Sequence, residues 1–186
     1  MKVFKRRLLP RSDIRIWIEF LEHFNGKVMV LPEVWTSSDV LHLFSDASGL
    51  GFASVWGSHW IQGPFLQNWD RVNIAVKELL PIVLAVHQWG PQMTNTRILF
   101  RCDSESVVFC LNNQTSKDDM LMTLLRKLVL AALKFYIVFR AKHIPGKCNV
   151  VCDALSHFQL QKARAWAPWL ETKPQEIVGG WCSWRS

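Results

Sequence analysis

Three short apolar segments, close together in the sequence, limit what this chain can fold into. They lie at residues 40–46, 52–56 and 59–62, and Gly57-Ser58 between the last two is a pair typical of hairpin turns. Strands that follow one another after only a few residues pair antiparallel. The first part of the domain is therefore predicted to be three strands that meet in hairpins.

After these strands, the sequence alternates between helical and extended patterns. Helices are predicted at residues 72–89, 104–113, 118–134 and 149–160, and strands at residues 96–103 and 136–143. This order predicts an α/β fold: a mixed five-stranded sheet, three antiparallel strands followed by alternating helices and strands, flanked by helices.

The chain divides into three regions. Residues 1–38 combine a basic arm, an amphipathic helix at residues 12–24 and a linker. Residues 39–160 form the predicted domain. Residues 161–186 contain prolines and a Gly-Gly pair and are predicted to be an irregular tail.

Composition limits the kinds of partner, compartment and metal site that the chain can have. The net charge of +7 and the pI near 9.4 favour a polyanionic partner such as nucleic acid or an anionic membrane surface. Five cysteines without a CxxC pair argue against a disulfide framework and predict a reducing compartment, the cytoplasm or nucleus. His143, Cys148 and Cys152 lack the fourth ligand of a zinc site. The longest apolar run, residues 79–86, is far below the ~20 residues of a membrane span.

Four carboxylates stand where packing alone would not place them. Asp46 and Asp103 end strands, Glu78 lies on an apolar helix face, and Asp153 lies in the first turns of the last helix. Each acid taken alone has an ordinary explanation. Asp46 could belong to a turn, Glu78 could form a salt bridge, and Asp153 could interact with the helix dipole. If the strands are adjacent, the four converge and need cations to stay ionised. Carboxylate oxygens favour Mg²⁺ or Mn²⁺, and two such ions about 3.5–4 Å apart drive phosphodiester cleavage.

These residues lie in four segments that resemble a known family. The segments are LHLFSDASGLGFAS (41–54), NIAVKELLPIVLAVHQWG (73–90), ILFRCDSESVVFCLN (98–112) and HIPGKCNVVCDALSHF (143–158). They resemble the ribonuclease H domain of retroelement reverse transcriptases, DIRS-like or gypsy-like, and the last segment is the most specific.

The resemblance implies an endonuclease that cuts the RNA strand of RNA–DNA hybrids. It implies two Mg²⁺ ions, with Mn²⁺ as substitute, held by Asp46, Glu78, Asp103 and Asp153. The partners would be the hybrid and the polymerase domain of the same polyprotein, with no membrane. Weaker candidates for substrate contact are Ser48, Gly49, Gly51, Asn73, Lys147 and Asn149.

Two departures from the family and two rival functions remain open. Lys147 stands where cellular enzymes carry a histidine, and His157 replaces an arginine of the usual DALSR. One rival is a catalytically silent or domesticated domain that binds nucleic acid without cutting it. The complete set of acids argues against this rival. The other is a different nuclease or an integrase on the same fold, against which the IPGK…DALS segment and the order of the acids argue.

Overall fold

The computed structural model describes residues 11–22, 40–65 and 69–177. The basic arm before residue 11, the linker at residues 23–39 and residues 178–186 lie outside the described part. The elements, in chain order, are α1 (Arg11–Glu22), β1 (Val40–Ala47), β2 (Gly51–Trp56), β3 (His59–Pro64), α2 (Ile74–Trp89), β4 (Arg97–Cys102), α3 (Glu105–Asn113), α4 (Asp119–Lys134), β5 (Val138–His143), α5 (Val150–Ser156) and α6 (Leu160–Trp166).

The five strands form one mixed sheet in the order β3-β2-β1-β4-β5. The pairs β1–β2 and β2–β3 are antiparallel, whereas β1–β4 and β4–β5 are parallel. The predicted mixed five-stranded sheet is confirmed. Because β1 lies between β2 and β4, its carboxyl end adjoins the carboxyl end of β4.

The main core lies on the sheet face that packs against α2, and α4 packs in turn against α2. Leu43, Phe100 and Ala141 are neighbours in register on β1, β4 and β5, and all three are buried in this core. Helix α2 is buried along most of its length because its sequence is apolar on nearly every side. A helix enclosed in this way holds any polar group it carries away from water.

A second, smaller core covers β2 and β3 on the opposite face. It combines Ala53, Val55 and Trp60 of the strands with residues of α5, α6 and the segment after α6, namely Cys152, Ala154, Leu155, Ala163, Ala167 and Leu170. This core fixes α5 against the sheet, and α5 carries one of the predicted site residues.

The end of the domain differs from the sequence-based expectation. One helix was expected to run to about residue 160, but α5 ends at Ser156, and Phe158 adopts the left-handed region (φ +59°) before α6 begins. Residues 170–177, here called the C-terminal strap, then lie along the β2–β3 hairpin. Backbone N–H groups of Glu171 and Gln175 donate to the carbonyls of Ser58 and Trp60.

None of the helices in the described ranges is long and apolar enough to cross a membrane. Helix α1, predicted at residues 12–24, contacts α4 and carries exposed apolar side chains, among them Ile14, Ile18 and Leu21.

Candidate metal centre

Three of the four predicted carboxylates meet at one edge of the sheet. Asp46 belongs to β1, Asp103 follows β4, and Glu78 projects from α2. One oxygen of each lies within 4.8 Å of an oxygen of the others. The parallel register explains why Asp46 and Asp103 meet, since Phe44 pairs with Arg101 and each of these two acids stands two residues further along the chain.

The charges of this group are poorly compensated. Asp46 is 5% and Glu78 8% exposed, and among the described residues no lysine or arginine forms an ion pair with either. Burial, and then the nearby charges of Asp46 and Asp103, raise the pKa of Glu78 to about 9. A salt bridge in the described part of the chain therefore does not explain this glutamate.

The pKa of Asp46 is raised as well, to about 6. Burial is the main cause, and Asp103 and Asp153 add to it, while a hydrogen bond from Ser156 acts in the opposite direction. Two neighbouring acids with raised pKa values are typical of a functional site rather than of a packing arrangement.

The oxygen atoms of the group fit a hard divalent cation. Oε2 of Glu78 and Oδ1 of Asp103 are buried without a hydrogen-bond partner in the structure. Unpartnered buried acceptors are costly, and a cation with carboxylate ligands would satisfy them. Asp46, Glu78 and Asp103 are therefore suited to hold Mg²⁺ or a similar ion.

Asp46 is held in place by two side chains from the region of α5. Oγ of Ser156 donates to Oδ2 of Asp46 at 2.5 Å. Nδ2 of Asn149 donates to the carbonyl oxygen of Ser45 at 2.8 Å and lies 3.4 Å from Oδ1 of Asp46. Ser156 and Asn149 are both buried, so this clamp, as we call the pair, lies behind the carboxylate.

Asp153, the fourth predicted acid, lies beside the group but is not one of the three. Its side chain is 45% exposed, and its carboxylate lies 3.6 Å from Nδ1 of His157 and 3.8 Å from Nζ of Lys162. It is still near enough to raise the pKa of Asp46. The structure thus brings three acids together and places the fourth at the solvent side.

The residues of the β1–β2 turn have structural contacts of their own. Oγ of Ser48 accepts from the N–H groups of Leu50 and Gly51 and donates to the carbonyl of Ser156 at 2.9 Å. Gly51 is needed for packing, since a Cβ there would stand 2.5 Å from the carbonyl oxygen of Gly63. Gly49 is exposed with open space around it. Contact of these residues with a substrate stays a prediction.

The other two weak candidates lie further out. Asn73 caps α2 by accepting from the N–H of Ala75 at 3.0 Å, and its amide donates to Asp118. Lys147 is exposed in the 3₁₀ turn Gly146–Cys148, whose first residue lies against Asp103. Of these two, Lys147 is the one whose turn approaches a carboxylate, through Gly146.

Sequence reasoning missed Ser156. Its position three residues after Asp153 on a predicted helix was the available signal, because residues i and i+3 share a helix face. That signal gives no indication that the hydroxyl reaches Asp46, which is 110 positions earlier in the chain.

Comparison with known proteins identifies the fold. No protein-family model and no curated protein sequence matches the chain. Among solved structures, the chain is similar to the N-terminal RNase H domain of rv2228c from Mycobacterium tuberculosis, with 17% identity and a TM-score of 0.53 over 70% of this chain and 99% of that one. It is also similar to LC11-RNase H1 in complex with an RNA/DNA hybrid, with 18% identity and a TM-score of 0.52 over 67% and 97%. The chain has the ribonuclease H fold.

Proposed function

We propose that this chain is a ribonuclease H-type endonuclease that hydrolyses the RNA strand of RNA–DNA hybrids with two Mg²⁺ ions, for which Mn²⁺ can substitute. The observation that carries the proposal is the buried group of Asp46, Glu78 and Asp103, brought together from three separate elements without a basic partner in the described chain. The fold and the complex of LC11-RNase H1 with a hybrid support the substrate class.

In this proposal Asp46, Glu78 and Asp103 hold the cations, and Asp153 completes the site from its solvent side. Bound divalent cations supply Lewis acidity, which activates a water molecule and stabilises the leaving 3′ oxygen. The chain itself fixes Asp46 through the clamp of Asn149 and Ser156. Protonation of Glu78 limits repulsion among the carboxylates before a cation binds.

The RNA strand would be recognised by its 2′-hydroxyl groups, which distinguish RNA from DNA in the minor groove. We further propose a retroelement origin, in which this domain works beside the polymerase of the same polyprotein. The segment HIPGKCNVVCDALSHF at residues 143–158 supports this origin.

The test is cleavage of a hybrid labelled on its RNA strand, with Mg²⁺, with Mn²⁺ and with a chelator. Single-stranded RNA and double-stranded DNA of the same sequence serve as controls. We expect cleavage of the hybrid alone, with a 3′-hydroxyl on the upstream product. Cleavage that survives the chelator would overturn the metal-dependent mechanism, and hybrid binding without cleavage would favour the silent binding domain.

A further inference from the structure

The face of the sheet that carries Asp46 and Asp103 continues into a row of basic side chains. One row in register across β1, β4 and β5 is His42, Leu99 and Arg140, and the row two residues further on is Phe44, Arg101 and Lys142. Side chains in register share a face, and these rows alternate with those that enter the main core. We call His42, Arg101, Arg140 and Lys142 the cationic strip.

The positive charge of Arg101 and Lys142 is open to a partner, whereas partial burial and the charge of Arg101 lower the pKa of His42. His42, Arg140 and Lys142 are exposed. Nε of Arg101 has no hydrogen-bond partner, and Nη2 lies 3.4 Å from Nδ1 of His42. Within the described ranges, no carboxylate forms an ion pair with Arg101 or Lys142. A surface of this kind attracts anions.

An aromatic cavity adjoins the strip. The cavity of about 520 Å³ is lined by His42 and Phe44 from β1, by Trp56 from β2, and by Val151 and Trp169 on the other side. Trp169 is 62% exposed although it lines this cavity. Since His42 belongs to both features and Phe44 of the cavity pairs with Arg101 of the strip, the cavity and the strip form one continuous surface.

This surface leads directly to the metal centre. Asp46 stands two residues after Phe44, and Asp103 two residues after Arg101, so both acids share the face of the strip. At about 3.3 Å per residue, the first basic row begins about 7 Å from the carboxylates. A chain-like ligand that leaves the centre along this face meets Arg101 and Lys142 first.

We propose that the surface binds a single strand of nucleic acid that continues from the hybrid, with phosphates on Arg101 and Lys142 and a base in the aromatic cavity beside Trp169. Positive charge interleaved with aromatic rings is the arrangement by which single strands are held. An acidic polypeptide would satisfy the cations, but it would leave the aromatic cavity without a ligand. DNA and RNA both carry phosphates and bases, so either can supply these contacts, and the experiment tests both.

The first test measures binding of a fluorescent single strand by anisotropy, in chelator and across a salt series. An oligodeoxynucleotide and an oligoribonucleotide are titrated in separate arms to show which strand binds more tightly. The double variant Arg101→Gln/Lys142→Gln should bind about tenfold more weakly. Its salt dependence should be shallower by about 1.4 in log–log slope, since two phosphate contacts at about 0.7 each are removed. The matched control Lys117→Gln/Lys173→Gln removes two exposed lysines elsewhere and should bind like the unmodified chain.

The second test distinguishes binding of a base in the cavity from nonspecific binding to exposed aromatic side chains. Trp169→Ala should weaken binding of the single strand by about fivefold or more, because stacking of a base on an aromatic ring is lost. Trp166→Ala is the control, since Trp166 is 59% exposed but does not line the cavity. Circular dichroism melting verifies that each variant is folded.

Three results would overturn the proposal: equal losses in the test and control variants, no loss in either, or displacement of the strand by poly-glutamate as readily as by an unlabelled strand. Cleavage of a short blunt hybrid is measured in parallel and is expected to be unchanged in the Lys142→Gln variant. If the variants lose strand binding while the unmodified chain never cleaves hybrid, the result supports this surface and counts against the proposed nuclease. The two proposals can therefore fail separately.

Discussion

The buried carboxylate group and the start of α5 lie side by side, yet they differ in whether basic groups nearby compensate their negative charge. Glu78 is 8% exposed, has no described basic partner and has a pKa raised to about 9. The side chain of Asp153 is 45% exposed and lies near His157 and Lys162. The buried group therefore depends on a cation for its charge balance, whereas Asp153 is already compensated by its surroundings. From this difference we expect unequal consequences when individual acids are neutralised.

The largest effect is expected from Asp103→Asn. The substitution removes a ligand charge at almost constant shape, so hybrid cleavage should fall by more than about a hundredfold, beyond the usual cost of losing an outer-shell partner. The fold should persist, as measured by circular dichroism. Asp70→Asn, which neutralises an exposed acid elsewhere, is the control. Near-normal activity of Asp103→Asn would mean that this residue only ends a strand.

Removal of the clamp hydroxyl should have the next largest effect. Ser156→Ala leaves Oδ2 of Asp46 without its donor, and loss of such a supporting hydrogen bond typically costs about 10–100-fold in metal affinity or activity. Calorimetric titration with Mn²⁺ measures the metal affinity. Ser54→Ala is the matched control, because Ser54 is also buried and its hydroxyl donates to the carbonyl of Pro81 instead. Equal losses in the two variants would show that the clamp has only a packing role.

The metal-free protein should lose stability as pH rises. The pKa of Glu78 is 4.5 ordinarily and about 9 in the fold, so between these values the folded chain holds a proton that the unfolded chain lacks. The stability due to this proton is complete below about pH 4.5 and is lost as pH approaches 9, by up to about 1.4 kcal/mol per pH unit. Urea unfolding in chelator at several pH values measures the slope, and Glu78→Gln should flatten it. An unchanged slope in that variant would show that Glu78 is not the titrating group.

The smallest effect is expected from Asp153→Asn. Since this acid is half exposed and lies outside the buried group, its neutralisation should lower cleavage by about tenfold or less, which is the lower end of the range for supporting residues. The ratio of its activity to that of Asp103→Asn quantifies the contrast between the two regions. Equal collapse of both variants would remove the contrast.

The sequence predicted those parts of the molecule that depend on local pattern. The ends of β1 and β4 could be predicted because an acid interrupts each apolar run. Asp46 and Asp103 were therefore placed correctly at neighbouring strand ends. The break between α5 and α6 was not predicted, since it occurs at Phe158 with a positive φ and carries neither glycine nor proline. A left-handed phenylalanine is set by tertiary packing, here against Gly51, and local propensity gives no sign of it.

The same limit applies to the roles of single residues. The contact of the Asn149 amide with Asp46 was not predicted, and Ser156 was not singled out at all. Contact of Asn149 with substrate stays a prediction. Which side chains meet across a fold depends on how elements distant in sequence pack together. The residue pattern within one element does not contain that information.

The clamp has a consequence for the order in which the chain becomes functional. Asp46 is synthesised before its two supporting side chains, which follow 103 and 110 positions later. Contacts so distant in sequence form late, because a long loop must close before they are gained. A growing chain that has already built β1, α2 and β4 thus holds its three acids without the residues that orient the first of them. Competence is gained only when α5 docks, so a chain cut short before Ser156 would carry the acids but not the oriented centre.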